Sequence, residues 1–394
     1  MKKGCEHRED DKLCEDCRKN VILLGGSSML NDVASEMITP VLPFYITALG
    51  GTGFAVGAIS GLREGLASLF KMIGGWFSDR IGKRKTIVFA GYFVSLISRF
   101  LLLLANTWQL VLGFVSFERI GKVRDAPRDA MIASYGGHRG KNFGIHQMMD
   151  TLGGVIGIII IILLFWNFDL DFKLIILIAS LISILSLIPL LFAREKSDGK
   201  MKENIFQGIM KVNKKLKYFV FVASVFTLAN FGINMFLLLK AKEITGSVLA
   251  SLGMYALFNV SYAAFVIPFG RWSDSIGRKK VLMIGYVLFF ALALGLIFLS
   301  NIFVLMLAFV FYGVVLAITQ SNQRAFASDL FGKMKGTSMG FFHSITGIVN
   351  IPAGIIAGLL WDISSKVMFI YIAAVAFLAV ILLCTVKEGK EYKK

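Results

Sequence analysis

Long apolar stretches alternate with short polar segments along almost the whole chain. A helix needs about 20 predominantly apolar residues to cross the hydrocarbon core of a membrane. Twelve stretches meet this condition, at residues 21–47, 54–78, 86–105, 108–130, 142–166, 173–193, 217–240, 248–271, 280–300, 302–324, 337–361 and 366–385. The pattern predicts an all-α integral membrane protein with twelve transmembrane helices.

The composition excludes an ordinary soluble protein. Of the 394 residues, 56% are hydrophobic and only 17% are charged, which leaves too little polar surface to face water. The first apolar run follows about twenty polar residues and is longer than the core of a signal peptide, so we expect no cleavable signal. These features indicate a multi-pass protein of the cell (inner) membrane.

The net charge of +17 is distributed unevenly. Lys and Arg collect in the N-terminal tail, after the second span, between the sixth and seventh spans, after the eighth span and at the C-terminus. The connections in between carry few basic residues. Because basic residues favour cytoplasmic loops, this alternation predicts that both termini lie in the cytoplasm. The positive charge therefore indicates topology, and we expect no nucleic-acid partner.

Two copies of one loop motif occur at a constant offset. Residues 75–85 read GWFSDRIGKRK and residues 270–280 read GRWSDSIGRKK, 195 positions later. The same orientation in both copies predicts a parallel repeat, related by an axis along the membrane normal. We therefore expect two six-helix halves. The expected divisions are a cytoplasmic tail at 1–20, the halves at 21–193 and 217–386, a cytoplasmic linker at 194–216 and a second tail at 387–394.

This loop resembles the signature of the major facilitator superfamily, G-x-L-x-D-R-x-G-R-K-x. The matching residues are Gly75, Asp79, Arg80, Gly82, Lys83, Arg84 and Lys85 in the first copy, and Asp274, Gly277 and Arg278 in the degenerate second copy. The resemblance covers essentially the whole chain and implies alternating access around a central cavity. We expect the loop to latch one conformation and release in the other. The alternative is a basic loop that only sets topology.

Ionisable residues inside membrane spans are costly and are functional candidates. The candidates for proton coupling or for the substrate cavity are Asp32, Glu36, Arg63, Glu64, Glu118, Arg119, Lys122 and Asp150. All of them lie in the first half. The second half offers mainly Arg324, His343 and the amides Asn230, Asn234, Asn259, Gln320, Asn322, Gln323 and Asn350.

Asp32 and Glu36 are four residues apart, on one face of the first span. Two carboxylates this close in a low dielectric cannot both ionise cheaply, so one of them is a candidate proton carrier. Arg119 is the expected partner, because the family resemblance implies an Arg at this depth of the fourth span. The alternative is a static ion pair with Arg63, Arg119 or Lys122.

The fifth span contains Gly153, Gly154 and Gly157. Exporters of the superfamily carry a Gly-rich motif here together with a Pro, which this chain lacks. The glycines therefore have two interpretations, an exporter motif or close helix packing.

The N-terminal tail contains Cys5, His7, Cys14 and Cys17. These four side chains are soft ligands, and the CxxC pair could clip a zinc ion. The alternative is a reduced tail without metal. Transport itself requires no cofactor.

The leading hypothesis is a monomeric, proton-coupled secondary transporter that exports an amphipathic organic compound. Its expected partners are a small-molecule or ion substrate, protons and the lipid bilayer. One alternative is a transporter of a divalent metal or metal chelate, with Asp32, Glu36, His146 and Asp150 as ligands. Another is a non-transporting membrane sensor or receptor. No nucleotide loop, nucleophile–base pair or HExxH motif is present, so the chain is not predicted to be an enzyme.

Overall fold

A computed structural model describes residues 7–135, 139–168, 171–195, 213–298, 301–330 and 335–386. Regular structure in these ranges is helical, with no strand. The helices are α1 (His7–Ile38), α2 (Leu42–Ala48), α3 (Gly53–Ile81), α4 (Arg84–Leu102), α5 (Trp108–Ile120), α6 (Asp125–Ser134), α7 (Arg139–Phe168), α8 (Phe172–Leu185), α9 (Ile188–Phe192), α10 (Lys214–Ala229), α11 (Asn234–Thr245), α12 (Val248–Ile276), α13 (Arg278–Ile297), α14 (Ile302–Asp329), α15 (Lys335–Ile363) and α16 (Ser365–Thr385).

The helices confirm the prediction of an all-α membrane protein. Among the described residues, nine helical segments are long and apolar enough to cross a membrane. The other three predicted spans, 21–47, 54–78 and 108–130, correspond to α1 with α2, to α3, and to α5 with α6. These three contain most of the charged candidates or a helix break, and so their apolar runs are interrupted.

Several predicted spans are broken rather than continuous. The first is interrupted between Ile38 and Leu42, where Pro40 has no amide hydrogen and disfavours helical backbone at the residue before it. The fourth is interrupted by a 3₁₀ turn at Gly121–Arg124, and the seventh is interrupted between α10 and α11. Such breaks are tolerated at membrane depth where protein rather than lipid surrounds the backbone.

Contacts divide the chain into two compact units. The first unit comprises Met1–Val41, Phe70–Ala105 and Gly113–Lys202, and the second comprises Leu42–Leu69, Asn106–Leu112 and Glu203–Lys394. The beginning of α3 therefore belongs to the second unit by its contacts. The division into halves at 21–193 and 217–386 remains a prediction.

The exposed faces are apolar, as a membrane protein requires. On α7, Leu163 is 54% exposed and Trp166 is 73% exposed. In water such a surface would be an aggregation site, whereas lipid tails cover it at no cost. Inside the second unit, Phe226 stacks on Tyr286 with ring centroids 3.8 Å apart, so aromatic packing fills its core.

The two copies of the loop motif adopt the same local structure. Gly82 has a φ of 73° and Gly277 has a φ of 103°, a region that residues with a Cβ rarely enter. In each copy a serine hydroxyl four residues earlier donates to the carbonyl three residues before it, at 2.9 Å for Ser78 and 2.7 Å for Ser273. The glycines are thus needed for the turn between two helices, and the fold contains two repeats.

Candidate functional site

In the first unit, α1 packs closely against α7. A Cβ on Gly153 would collide with the backbone of Met29, and one on Gly157 would collide with the carbonyl of Val33. These two glycines therefore permit close helix packing, as their second interpretation predicts. Glu36 lies in the same interface, where its side chain faces Gly157.

The close packing brings an acid from each helix together. Asp32 on α1 is in electrostatic range of Asp150 on α7, and Lys122, Arg124 and Arg128 are the cations acting on it. Among the described residues, the Asp32 carboxylate forms no salt bridge, and its hydrogen bond comes from the Asn31 amide at 3.4 Å.

A polar chain surrounds Asp150. Its Oδ2 lies 3.3 Å from Nδ1 of His146, which is one turn earlier on α7. Its side chain also interacts with the hydroxyl of Ser28, and that hydroxyl accepts a hydrogen bond of 2.8 Å from Arg128. Within the described part of the chain, Oδ1 of Asp150 and Nε2 of His146 are buried without a hydrogen-bond partner. Unsatisfied buried groups of this kind need water, an ion or a proton exchange to compensate them.

Glu118 joins two arginines. Its carboxylate pairs with Arg99 at 3.4 Å through one oxygen and with Arg119 through the other. Arg99 is only 2% exposed and also donates to the hydroxyl of Ser183. Arg119 thus pairs with the neighbouring acid in its own helix turn, and its expected partnership with Asp32 or Glu36 stays a prediction. Glu118 therefore links Arg99 and Arg119 in one ion-pair network.

Arg124 has a structural role. It is 1% exposed, donates to Ser95 at 2.7 Å and to the Gly121 carbonyl at 2.9 Å, and lies over the ring of Tyr92. These contacts fix the 3₁₀ turn between α5 and α6. Lys122, in the same turn, lies 3.8 Å from Asp125.

The loop motif carries an ion pair in each copy, with different partners. Asp79 lies 3.2 Å from Arg84 in the first copy. In the second copy Arg278 lies 3.5 Å from Asp274 and 2.6 Å from Asp329. In each copy an acid of the motif thus lies close to an arginine, and the role of the loop as a gate stays a prediction.

The second unit contains a polar cavity of about 290 Å³. Glu64 lines it from α3 and Arg324 from α14, and His343 contributes from α15. The other polar lining residues are Thr227, Asn230, Asn234, Tyr312, Thr319, Gln320, Gln323, Thr346 and Asn350. Most of the amides that distinguish the second half therefore meet at one cavity.

Near this cavity, α3 lies directly against α15. A Cβ on Gly57 would collide with the carbonyl of Gly354, and one on Gly354 would collide with the carbonyl of Gly57. At the end of this contact the carboxylate of Asp362 accepts hydrogen bonds from the first residues of α3. The contact depends on residues without side chains, because any Cβ would push the two backbones apart.

The predicted site residues thus separate into two groups. Asp32, Glu36, Glu118, Arg119, Lys122 and Asp150 lie in the first unit, whereas Arg63 and Glu64 belong to the second. Of the second group, Glu64 lines the cavity, and Arg63 is buried at 8% exposure.

Two functional candidates do not appear among the sequence-based predictions. Tyr312 carries no charge and resembles any membrane aromatic, so no signal distinguishes it. Asp362 could have been identified from the sequence, because it is the only acidic residue between positions 330 and 387.

The metal hypotheses have no geometric support in the described part of the chain. No group of three or more His, Cys, Asp or Glu side chains there is arranged to hold a metal ion, which applies to Asp32, Glu36, His146 and Asp150. Cys5 lies outside the described residues, as do the side chains of His7, Cys14 and Cys17. Zinc binding by the tail remains a prediction.

Comparison with known proteins gives consistent matches over the whole chain. The family model described as Major Facilitator Superfamily matches residues 24–259 and 219–394. An uncharacterized MFS-type transporter of Methanocaldococcus jannaschii is 39% identical over 388 residues, 96% of each chain. The multidrug resistance protein MdtH of Photorhabdus laumondii is 25% identical over 305 residues, 75% of each chain.

Solved structures show the same fold at low sequence identity. A point mutant of the nucleoside transporter NupG superposes with a TM-score of 0.82 at 15% identity, over 94% of this chain and 100% of that one. A bacterial homologue of the human lysosomal transporter Spinster gives a TM-score of 0.77 at 14% identity, over 92% and 95% of the two chains.

Proposed function

We propose, given that this chain belongs to the major facilitator superfamily and is a membrane transporter rather than an enzyme, that it exports a small organic solute in exchange for protons. The solute binds in the cavity lined by Glu64 and Arg324. The proton is carried by the carboxylates of Asp32 and Asp150. The protein works as a monomer in the cell (inner) membrane, with both termini in the cytoplasm.

The observation that carries proton coupling is that Asp32 and Asp150 lie on the closely packed helices α1 and α7, within electrostatic range of each other. Two carboxylates in a low dielectric share a proton more readily than they carry two negative charges. A change in the distance between the two acids or in their hydration can therefore load or release the proton. His146 extends the pair, because its Nδ1 reaches Asp150.

Export is supported by two considerations. Relatives at 22–25% identity are named multidrug resistance protein MdtH. In a proton exchanger, protons that enter the cell down their gradient drive the solute out of the cell. Coupling by exchange therefore implies export.

The loop motifs supply the conformational latch in this proposal. In the first copy, the ion pair joins Asp79 to Arg84. In the second copy, Arg278 contacts Asp274 and Asp329. Both sets lie between helices that must move during alternating access. Ion pairs on a partly solvated surface contribute at most about 1 kcal/mol each, which suits contacts that form and break in every cycle.

The test of coupling is proton movement in proteoliposomes loaded with a pH-sensitive dye. We expect wild-type protein to carry protons out of the lumen, raising the pH that the dye reports, when a transported solute is added outside, using a panel of lipophilic cations and small polar metabolites. The double variant Asp32→Asn/Asp150→Asn should show no solute-dependent signal. Asp171→Asn is the matched control, because Asp171 is exposed and caps no helix with its side chain. Equal signals from the wild type and the double variant would refute coupling by this pair. Solute movement by neither protein would favour the sensor hypothesis.

A further inference from the structure

We propose that the solute is a small zwitterion, with its cationic group bound by Glu64 and its anionic group bound by Arg324. This inference rests on the proposed function, because it takes the cavity of the second unit as the substrate site. It narrows the substrate from organic compounds in general to one charge pattern.

The first observation is that two opposite charges line one cavity without partners. Among the described residues, neither Glu64 nor Arg324 forms a salt bridge or a side-chain hydrogen bond. Both residues are exposed and line the cavity, and ionisable residues of membrane spans that face a cavity mark substrate pathways. Since the signs are opposite, the electrostatically matched ligand carries one charge of each sign.

The second observation is that hydrogen bonds fix the orientation of two side-chain amides that line the cavity. Tyr312 donates to the amide oxygen of Asn230 at 3.0 Å, which leaves the NH₂ group of Asn230 for the cavity. The NH₂ group of Gln323 donates to Tyr286 at 2.9 Å, which leaves the oxygen of Gln323. The cavity thus offers an oriented donor and an oriented acceptor. A site built to hydrogen-bond its ligand strongly rejects analogues that cannot, because its own polar groups would stay unpaired.

The third observation is size. The cavity volume of about 290 Å³ lies at the lower end of the range for ligand pockets, roughly 300–1,000 Å³. That space suits a solute of amino-acid or dipeptide size and excludes a large lipophilic drug. Phe226 and Phe342 also line the cavity, so one apolar side chain can be accommodated.

The test measures binding to purified protein with three matched sets of probes. The parents are serine, phenylalanine and alanylphenylalanine, and each is compared with its C-terminal amide, its N-acetyl derivative and the doubly blocked form. In this way each zwitterion is matched with a cation, an anion and a neutral molecule of nearly the same shape. Calorimetric titration gives the dissociation constants. We expect at least one zwitterion to bind about tenfold more tightly than either singly charged derivative, with the neutral form weakest.

Two variants test which side chain binds each charged group of the ligand. Glu64→Gln should lose about tenfold affinity for the zwitterion and for the cationic amide while binding the N-acetyl anion as the wild type does. Arg324→Gln should show the reverse selectivity. Retained binding of one probe by each variant shows that the protein is folded. Arg271→Gln, which removes an exposed arginine that does not line the cavity, should change neither.

The outcomes separate this inference from the proposed function. If no zwitterion binds more tightly than its blocked derivatives, or if both variants lose the same probes, the zwitterion assignment is overturned. Selective binding without proton-linked transport of that probe would uphold the assignment and refute the exporter. Proton-linked transport of a lipophilic cation without charge selectivity would uphold the exporter and overturn the assignment.

Discussion

The carboxylate of Asp362 accepts a hydrogen bond of 2.6 Å from the backbone amide of Gly53, 309 positions earlier in the chain. Its other oxygen accepts from the amide of Phe54 at 2.9 Å and from the hydroxyl of Thr52 at 2.7 Å. An acid from the end of α15 thus caps the positive N-terminus of α3. Charge-assisted bonds to a helix N-terminus are among the stronger polar contacts.

We expect Asp362→Asn to weaken the contact between α3 and α15, because the amide loses the negative charge that the helix dipole attracts. The measurement is the rate at which an impermeant maleimide labels a cysteine introduced at the buried position Ala55, in protein whose native cysteines are replaced. The rate should rise by roughly 5–30-fold, for a loss of about 1–2 kcal/mol. Asp171→Asn should leave it unchanged. An unaltered rate in Asp362→Asn would mean that the cap does not hold this contact.

The glycines of this contact should tolerate no side chain. Gly57→Ala places a methyl group against the backbone of Gly354 and Gly358, which cannot yield without separating the helices. We expect transport to fall at least about tenfold and the labelling of position 55 to rise. Gly253→Ala is the matched control, since its Cβ would meet no neighbour within 4 Å and alanine favours helix. Equal activity of the two variants would show that transport does not depend on this close helix contact.

The two loop copies should respond differently to the loss of their acid. Asp79→Asn removes the acid whose side chain lies 3.2 Å from Arg84, whereas Asp274→Asn leaves Arg278 paired with Asp329. We therefore expect a large loss of transport rate in Asp79→Asn and a smaller loss in Asp274→Asn. Asp79 is 43% exposed, so the melting temperature should hardly change. If Asp79→Asn transported at the wild-type rate, the loop would only set the membrane topology and would not act as a latch.

Individual changes at the acids of the first unit should separate coupling from stability. Asp32→Asn or Asp150→Asn should abolish transport driven by a pH gradient while sparing exchange of solute for solute, because the proton carrier is lost and the cavity is intact. Glu36→Gln tests the other member of the predicted stripe. If Glu36→Gln alone loses gradient-driven transport, the carrier is Glu36 rather than the pair of Asp32 with Asp150.

Glu118→Gln should act on stability. It leaves Arg99 and Arg119 without their shared counter-ion in a buried environment, and breaking a buried pair of this kind typically costs about 3–5 kcal/mol. Thermal unfolding in detergent would report a lowered melting temperature. Arg18→Gln, at an exposed position on α1, serves as the control for loss of a single charge. Normal stability with lost coupling in Glu118→Gln would place Glu118 among the proton carriers.

Features of the site could be predicted from the sequence where they depend only on residues close together in the chain. The positive φ of Gly82 and Gly277 belongs to a turn between two helices, and the repeated motif indicated both turns at once. Asp79 and Arg84 are five residues apart, so their pairing needs only that local turn. Glu64 was a candidate because a charge in an apolar span is costly in any fold.

Contacts between distant helices could not be predicted in the same way. Asp32 and Glu36 were predicted to share one face of the first span, but nothing in the sequence indicated that Asp150 acts on Asp32 from another helix, where glycines bring α7 close to α1. Arg119 pairs with Glu118, its neighbour in the chain, and its expected partnership with Glu36 or Asp32 stays a prediction. Which of several buried charges pair depends on the rotation of each helix about its axis, and the sequence of one helix does not contain that information.

By itself the sequence determined the membrane environment, the helical class and the repeat, because these depend on apolar length, on the satisfaction of backbone hydrogen bonds in lipid and on internal similarity. Only the tertiary structure decided that Glu64 and Arg324 line one cavity and that Asp362 caps α3. The reason is physical. Lipid requires each span to be apolar, and this requirement is visible in the composition of that span alone. A site forms where helices far apart in the sequence pack together, and the sequence of one span does not specify those contacts.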